Sequence, residues 1–113
     1  MAFFQRLVGR DVARIDSLAY KSDYFEQRNH VLVDVRTPQE FKSGHIPGAK
    51  NIPLQTIQKE LTKITKDQPV VFVCQSGSRS ATACRILQEA GYENCINLIG
   101  GMIHWRMGGN PIK

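Results

Sequence analysis

The chain has 113 residues, 42% of them apolar and 22% charged, and a net charge of +5. That is about one domain's worth of chain, long enough to close one core and too apolar for intrinsic disorder. The positive charge suits an anionic partner without identifying one. No apolar run approaches the roughly 18 residues that span a bilayer. Gln5 and Arg6 interrupt the apolar start after Phe3 and Phe4, which is too short for a signal peptide. The expectation is a cytoplasmic protein without stable membrane insertion and without a nucleic-acid partner. Cys74, Cys84 and Cys95 form neither an even set nor a C-x-x-C pair. A disulfide framework and a metal site are therefore not expected, and a reactive thiol is.

In chain order, residues 1–11 read as an extension ahead of a domain over 12–113. Phe3, Phe4, Leu7 and Val8, interleaved with Arg6 and Arg10, suit a short amphipathic helix packed on that domain. Val12 to Ile15 is a weak strand candidate. Ser17 is placed to cap a helix running to about Arg28, with Leu18 and Phe25 buried. Val31-Leu32-Val33-Asp34-Val35 is an apolar run expected as a strand. Thr37, Pro38 and Glu40 stand at the cap, N1 and N3 positions of a short helix. A short strand is expected around Ala49 to Asn51. From Leu54 to Lys66, Ile57, Leu61 and Ile64 share one helical face. Val70-Val71-Phe72-Val73 is a second apolar run. From Ser80 to Ala90, the residues Ala83, Ile86, Leu87 and Ala90 form a helical stripe, and Gly91 follows at the C′ position. Cys95-Ile96-Asn97-Leu98-Ile99 is the third apolar run. Strands alternating with helices predict an open α/β fold with a parallel sheet, its reactive groups at the carboxyl ends of strands.

The second run leads straight into Cys74-Gln75-Ser76-Gly77-Ser78-Arg79 and then a helix. Gly77 lets the loop curl, a curled loop turns backbone N–H groups inward, and the helix aims its positive end at the same point. Such a nest lowers a thiol pKa, so Cys74 is read as a thiolate near neutral pH. Ser76, Ser78 and Ser80 add hydroxyls and Arg79 adds a fixed charge. A strand-end cysteine is by default a small buried hydrophobe, and Cys84 and Cys95 keep that reading. Phosphatases with a cysteine nucleophile separate Cys and Arg by five residues. Only four separate them here, a smaller bowl suited to one transferred sulfur atom.

Several motifs together resemble the single-domain rhodanese-type sulfurtransferases over residues 12 to 111. They are Val33-Asp34-Val35-Arg36 with Pro38 and Glu40-Phe41, then Gly44-His45-Ile46-Pro47-Gly48-Ala49 and Asn51-Ile52-Pro53. Cys74 to Ser80 is similar to the family's active-site loop. Leu98-Ile99-Gly100-Gly101 with Trp105, Gly108 and Pro111 is similar to its closing signature. The resemblance implies a parallel five-stranded sheet flanked by helices on both faces. It implies Cys74 as the nucleophile that takes sulfane sulfur from a small anionic donor such as thiosulfate. It places Gln75, Ser76, Gly77, Ser78 and Arg79 around the substrate, the N–H groups of residues 75 to 79 as stabilisers and Arg79 as the anion-orienting group. The acceptor is cyanide, a thiol or a protein cysteine, and no cofactor is implied. A sulfur-carrier or redox-sensing module is the main alternative, and a phosphatase or arsenate reductase on the same fold is a lesser one.

Other residues read as structural. Asp34 inside an apolar strand requires a partner, and Arg36 is the nearest one. His45 reads as a loop-fixing group, and His30 and His104 lack ligand-like spacing. Met102, Ile103 and Trp105 read as packing. Arg79 has a structural alternative too, as a tie between the loop and a carboxylate such as Glu40.

Overall fold

Apolar runs exposed to no water on either side become the interior strands of a sheet covered on both faces. The computed structural model describes residues 12–113, so the helix expected over residues 1–11 lies outside the described residues. Five strands, β1 (Ala13–Ile15), β2 (Val31–Asp34), β3 (Lys50–Asn51), β4 (Val70–Val73) and β5 (Cys95–Leu98), form one sheet in the order β1-β5-β4-β2-β3. Every neighbouring pair is parallel. The central strand is β4, with Phe72 opposite Val33 on one side and Asn97 on the other.

The period-2 alternation of the strands divides the core. Val33, Val70, Phe72 and Cys95 face α3 (Ser78–Glu89) and the 3₁₀ segment Leu54–Lys63, through Ala83, Cys84, Leu87, Ile57 and Ile64. Leu32, Val71, Val73 and Leu98 face α1 (Ser17–Asp23) and α4 (Gly101–Met107), through Tyr20, Met102 and Trp105. Trp105 is fully buried and donates its indole N–H to the Pro111 carbonyl at 2.7 Å. The remaining helix, α2 (Pro38–Lys42), carries the expected capping box: Thr37 Oγ1 accepts from the Glu40 N–H, and Glu40 accepts from the Thr37 N–H. Gly91 takes a positive φ after α3, as expected at C′.

Three expectations are corrected. The first helix is capped by Asp16, whose carboxylate accepts from the Ala19 N–H at 2.8 Å, and it ends at Asp23 rather than Arg28. Its buried residue is Tyr20, set among the rings of Tyr24, Phe25, His30 and Trp105. That orientation leaves Leu18 80% exposed and Phe25 half-buried. The 54–66 segment is a 3₁₀ helix broken at Glu60, not an α-helix, and Pro53 offers it no capping side chain. Ile57 and Ile64 are buried as expected, and the Tyr92 hydroxyl lies within hydrogen-bond reach of the Leu61 and Ile64 carbonyls at the end of the segment. Finally, α3 begins at Ser78, two residues early, so the helix grows directly out of the loop.

Asp34 and Arg36, both fully buried, form a forked pair at the carboxyl end of β2. Asp34 accepts from the Arg36 backbone N–H and from Nε and Nη2 of its guanidinium, and Nη2 also donates to the Gly44 carbonyl at 2.8 Å. The pair joins β2 to the turn at Gly44. Asp34→Asn leaves the guanidinium buried without its counter-charge, so a stability loss of about 3–5 kcal/mol is expected in urea denaturation. A loss below about 1 kcal/mol would show that the pair does not hold this corner together.

Candidate active site

The carboxyl end of β4 delivers Cys74 to the middle of the sheet. From there Gly77, at φ +112°, turns the chain into α3. A side chain at that φ is strained, so the tight curl depends on glycine here. The curl folds the start of α3 over the sulfur. Cys74 Sγ accepts from the Gly77 N–H at 3.1 Å and from the Ser80 N–H at 3.3 Å. Both belong to the first turn of α3, whose N–H groups have no partner within the helix and carry its positive dipole end. The Ser80 hydroxyl lies 3.4 Å from the same sulfur.

Burial pushes the Cys74 thiol up. The Ser80 hydroxyl and the N–H groups of Ser80, Gly77 and Ser76 together outweigh it, so the thiol lies below its ordinary value. The other two cysteines lack such donors. Burial drives Cys84 up to about 12, with Cys95 adding to the shift and Arg85 opposing it, and burial drives Cys95 up to about 11. Both are closed in the core beside α3.

The loop is pinned from behind by α4. The Met102 N–H donates to the Cys74 carbonyl at 2.9 Å and the Ile103 N–H to the Gln75 carbonyl at 3.2 Å. Gly101, at φ +50°, makes the approach possible, because a Cβ there would collide with both carbonyl oxygens. Gln75, Ser76 and Ser78 are exposed around the mouth, and Arg79 is half-buried. Cys74 itself is 1% exposed, so any molecule that meets its sulfur has to enter that mouth. Beside the mouth lies a cavity of about 250 Å³ lined by Val35, Thr37, Pro53, Leu54, Gln55 and Arg79. Larger hollows do not include Cys74: one of about 340 Å³ lies beside His30 and Lys50, and one of about 590 Å³ is lined by Arg14, Ala81, Arg85 and Asn97.

Of the expected site residues, the structure brings Cys74, Gly77 and Ser76 together through the sulfur. Gln75 and Ser78 form the rim. The donors on sulfur differ from the expected range of 75 to 79, because the Ser80 N–H lies beyond it. Arg79 spends both terminal nitrogens on Glu40, at 2.8 and 3.0 Å. The tie between the loop and α2 is therefore formed. His45 donates from Nδ1 to the Phe41 carbonyl, 2.9 Å away, and stacks on the Phe41 ring, which suits a loop-fixing role. One participant was outside the expected set: Asn97 of β5, whose Oδ1 accepts from the Ser80 hydroxyl and whose Nδ2 donates to the Gly77 carbonyl at 3.1 Å. Asn97 had a signal: it is a polar residue inside an apolar run, as Asp34 is.

A parallel sheet whose central strand ends in a cysteine, cradled by a C-x4-R loop and a helix start, defines a class of α/β proteins built around one cradled thiol. The rhodanese-like domain family matches residues 17–107, and the chain belongs to it. A sulfurtransferase of Allochromatium vinosum is 41% identical over 89% of this chain and 94% of its own. The thiosulfate sulfurtransferase GlpE of Pseudoalteromonas translucida is 30% identical over 79% of this chain and 85% of its own. The crystal structure of a rhodanese-like domain protein from Staphylococcus aureus superimposes with a TM-score of 0.77 at 35% identity, covering 83% of this chain and 91% of that one.

The Glu40–Arg79 pair gives a pH test. The Arg79 hydrogen bond holds the Glu40 carboxyl down at about 2, against burial and with help from Thr37. A carboxyl whose folded pKa is depressed stabilises the fold above its unfolded value, and that stability is lost as pH falls through the folded one. Both side chains are 35% exposed, so the contribution is small. The wild type is expected to lose more stability than Glu40→Gln between about pH 5 and about pH 2.5 in urea titrations. Equal losses would mean that the pair does not couple the loop to α2.

Proposed function

We propose that this protein is a sulfurtransferase that moves sulfane sulfur through a Cys74 persulfide. The observation that carries the reading is the Cys74 sulfur held by the Gly77 and Ser80 N–H groups at the start of α3. Such donors favour a thiolate as the attacking and as the departing form of Cys74. Membership of the family and relatives named sulfurtransferases support sulfur transfer in general. A relative named for thiosulfate supports that donor. The four-residue spacing from Cys74 to Arg79 disfavours a phosphoryl substrate.

In the first half-reaction the Cys74 thiolate attacks the outer sulfur of thiosulfate. A new S–S bond forms, the donor's own S–S bond breaks, and sulfite leaves with both of the donor's charges. The persulfide keeps the one charge that the thiolate brought. In the second, cyanide or a thiolate attacks the outer sulfur, and Cys74 departs as the thiolate again. Two half-reactions joined by a covalent intermediate give ping-pong kinetics. Arg79, fixed at the mouth by Glu40, orients the sulfonate end of the donor with the charge that remains exposed.

Cys74→Ser is expected to abolish thiocyanate formation from thiosulfate and cyanide. Cys84→Ser and Cys95→Ser are expected to retain it, since burial keeps both as thiols. Intact mass after thiosulfate treatment should show one added sulfur in the wild type and none in Cys74→Ser. Sulfur loading without thiocyanate formation would mark a carrier instead, and a folded but inactive Cys84→Ser would overturn the single-thiol mechanism.

Arg79→Ala separates the two roles of the arginine. Sulfur uptake from thiosulfate should weaken by about 1.5–3 kcal/mol in transition-state stabilisation, as charge-assisted bonds to the donor are lost. Transfer from the formed persulfide to an uncharged thiol should suffer less. Rapid-mixing measurements of each half-reaction decide it: equal losses would leave Arg79 with the tie to Glu40 alone.

A further inference from the structure

Behind the nucleophile the hydrogen bonds form a chain whose proton count does not come out even. Asn97 Nδ2 donates to the Gly77 carbonyl, so its Oδ1 is the atom turned to Ser80 and can only accept. Ser80 Oγ touches both Asn97 Oδ1 and Cys74 Sγ, yet it owns one proton. All three residues are buried: Ser80 at 0%, Cys74 at 1% and Asn97 at 6% exposed. Asn97 also lines an open hollow of about 590 Å³ with Arg14, Ala81 and Arg85, but neither Ser80 nor Cys74 reaches it, so the shared hydroxyl proton is settled between the sulfur and the amide.

The charge on sulfur decides where that proton is best used. With a neutral thiol, S–H points to Ser80, Ser80 points to Asn97, and every group is satisfied. With a thiolate, sulfur and Asn97 both require the hydroxyl proton, and one goes without. With a persulfide, the inner sulfur is neutral again and the charge has moved out to the terminal sulfur. The Ser80 proton then returns to Asn97 at no cost to the sulfur.

We propose that Asn97 is a positioning residue that draws the Ser80 hydroxyl away from Cys74 whenever the inner sulfur is uncharged, so that β5 favours the sulfur-loaded cysteine over the bare thiolate. The inference rests on the persulfide reading, but its first consequence concerns the reduced protein alone. The same side chain tethers Gly77 and thereby aims the Gly77 N–H at the sulfur, an effect of opposite sign. The charged and titratable groups around Cys74 and Asn97 are the same in every comparison: Arg79 with Glu40 from α3 and α2, Asp34 with Arg36 from β2, Arg14 of β1 and Arg85 of α3 beside Asn97, and His104 of α4 against Gly100. Cys84 and Cys95 in the same core stay protonated.

The test is the pH profile of Cys74 alkylation by iodoacetamide in the wild type, Asn97→Leu, Ser80→Ala and the double variant. Asn97→Leu frees the Ser80 proton for the thiolate, so its profile should move to lower pH. Ser80→Ala removes the donor, so its profile should move to higher pH, and adding Asn97→Leu to it should produce no downward movement. A profile that stays put or rises in Asn97→Leu would overturn the proposal and leave Asn97 as a loop tether. In the wild type, the Asn97 side-chain amide resonances should titrate with Cys74. When the sulfur is capped as a methyl disulfide by methyl methanethiosulfonate, they should resemble the thiol form. That arm needs no variant to fold and no sulfurtransferase activity, and amide resonances indifferent to the Cys74 titration would sink the idea. Where thiosulfate loads the protein, the Asn97→Leu persulfide should give up its sulfur to dithiothreitol about tenfold faster than the wild type. Failure to load would count against the sulfurtransferase reading while leaving the alkylation result intact.

Discussion

A negative charge on sulfur at the end of a buried strand is tolerable only where fixed donors replace the water it has lost. Here those donors are backbone N–H groups that the helix cannot use itself, and they reach the sulfur because α3 starts within hydrogen-bond range of it. Much of the molecule serves that placement. The parallel sheet sets Cys74 at the end of its central strand. Gly77 provides the curl, Gly101 lets α4 come close enough to hold the Cys74 and Gln75 carbonyls, and Asn97 grips the loop from β5. Backbone amides held in this way need little reorganisation when charge develops on the sulfur, which is why such cradles suit nucleophilic chemistry.

The two faces of the sheet divide the labour differently from the two ends. The faces carry the apolar cores around Phe72 and Trp105. The carboxyl end carries nearly all the buried polarity: Asp34, Arg36, Ser80 and Asn97 are the buried polar residues of the described chain, and all four lie within or next to the strand ends around the loop. Asp34 and Arg36 consolidate the turn at Gly44, whereas Ser80 and Asn97 back the sulfur. Buried polar groups satisfied in a network rigidify a site, and one that is short by a proton can respond to charge.

The sheet and the donor-lined place of Cys74 are legible from residues because they follow from local rules. Continuous apolar runs mark covered strands, and a cysteine followed by a glycine-bearing turn and a helix marks an anion nest. Thr37, Pro38 and Glu40 likewise announce α2 by short-range capping. What escapes is set by geometry across the chain. The first helix turns on Tyr20 because four aromatic rings meet there, and no periodicity in residues 17–28 reveals that. The 3₁₀ character of Leu54–Lys63 depends on Pro53 and on a hydroxyl from Tyr92, about thirty positions on. Asn97 stands seventeen residues beyond Ser80, so its contact with the loop is a property of strand order.

Strand order also has a consequence for how the molecule is assembled. The first strand has one neighbour, β5, which is made last and slots between β1 and β4. As the chain emerges, β2, β3 and β4 can pair early, whereas β1 waits for a partner more than eighty residues away. Contacts of such long separation slow folding, since the loop entropy must be overcome before the contact rewards it. Asn97 lies on that late strand. The loop around Cys74 therefore acquires its backing only when the sheet closes, and a partly folded chain would hold a cysteine without a finished cradle.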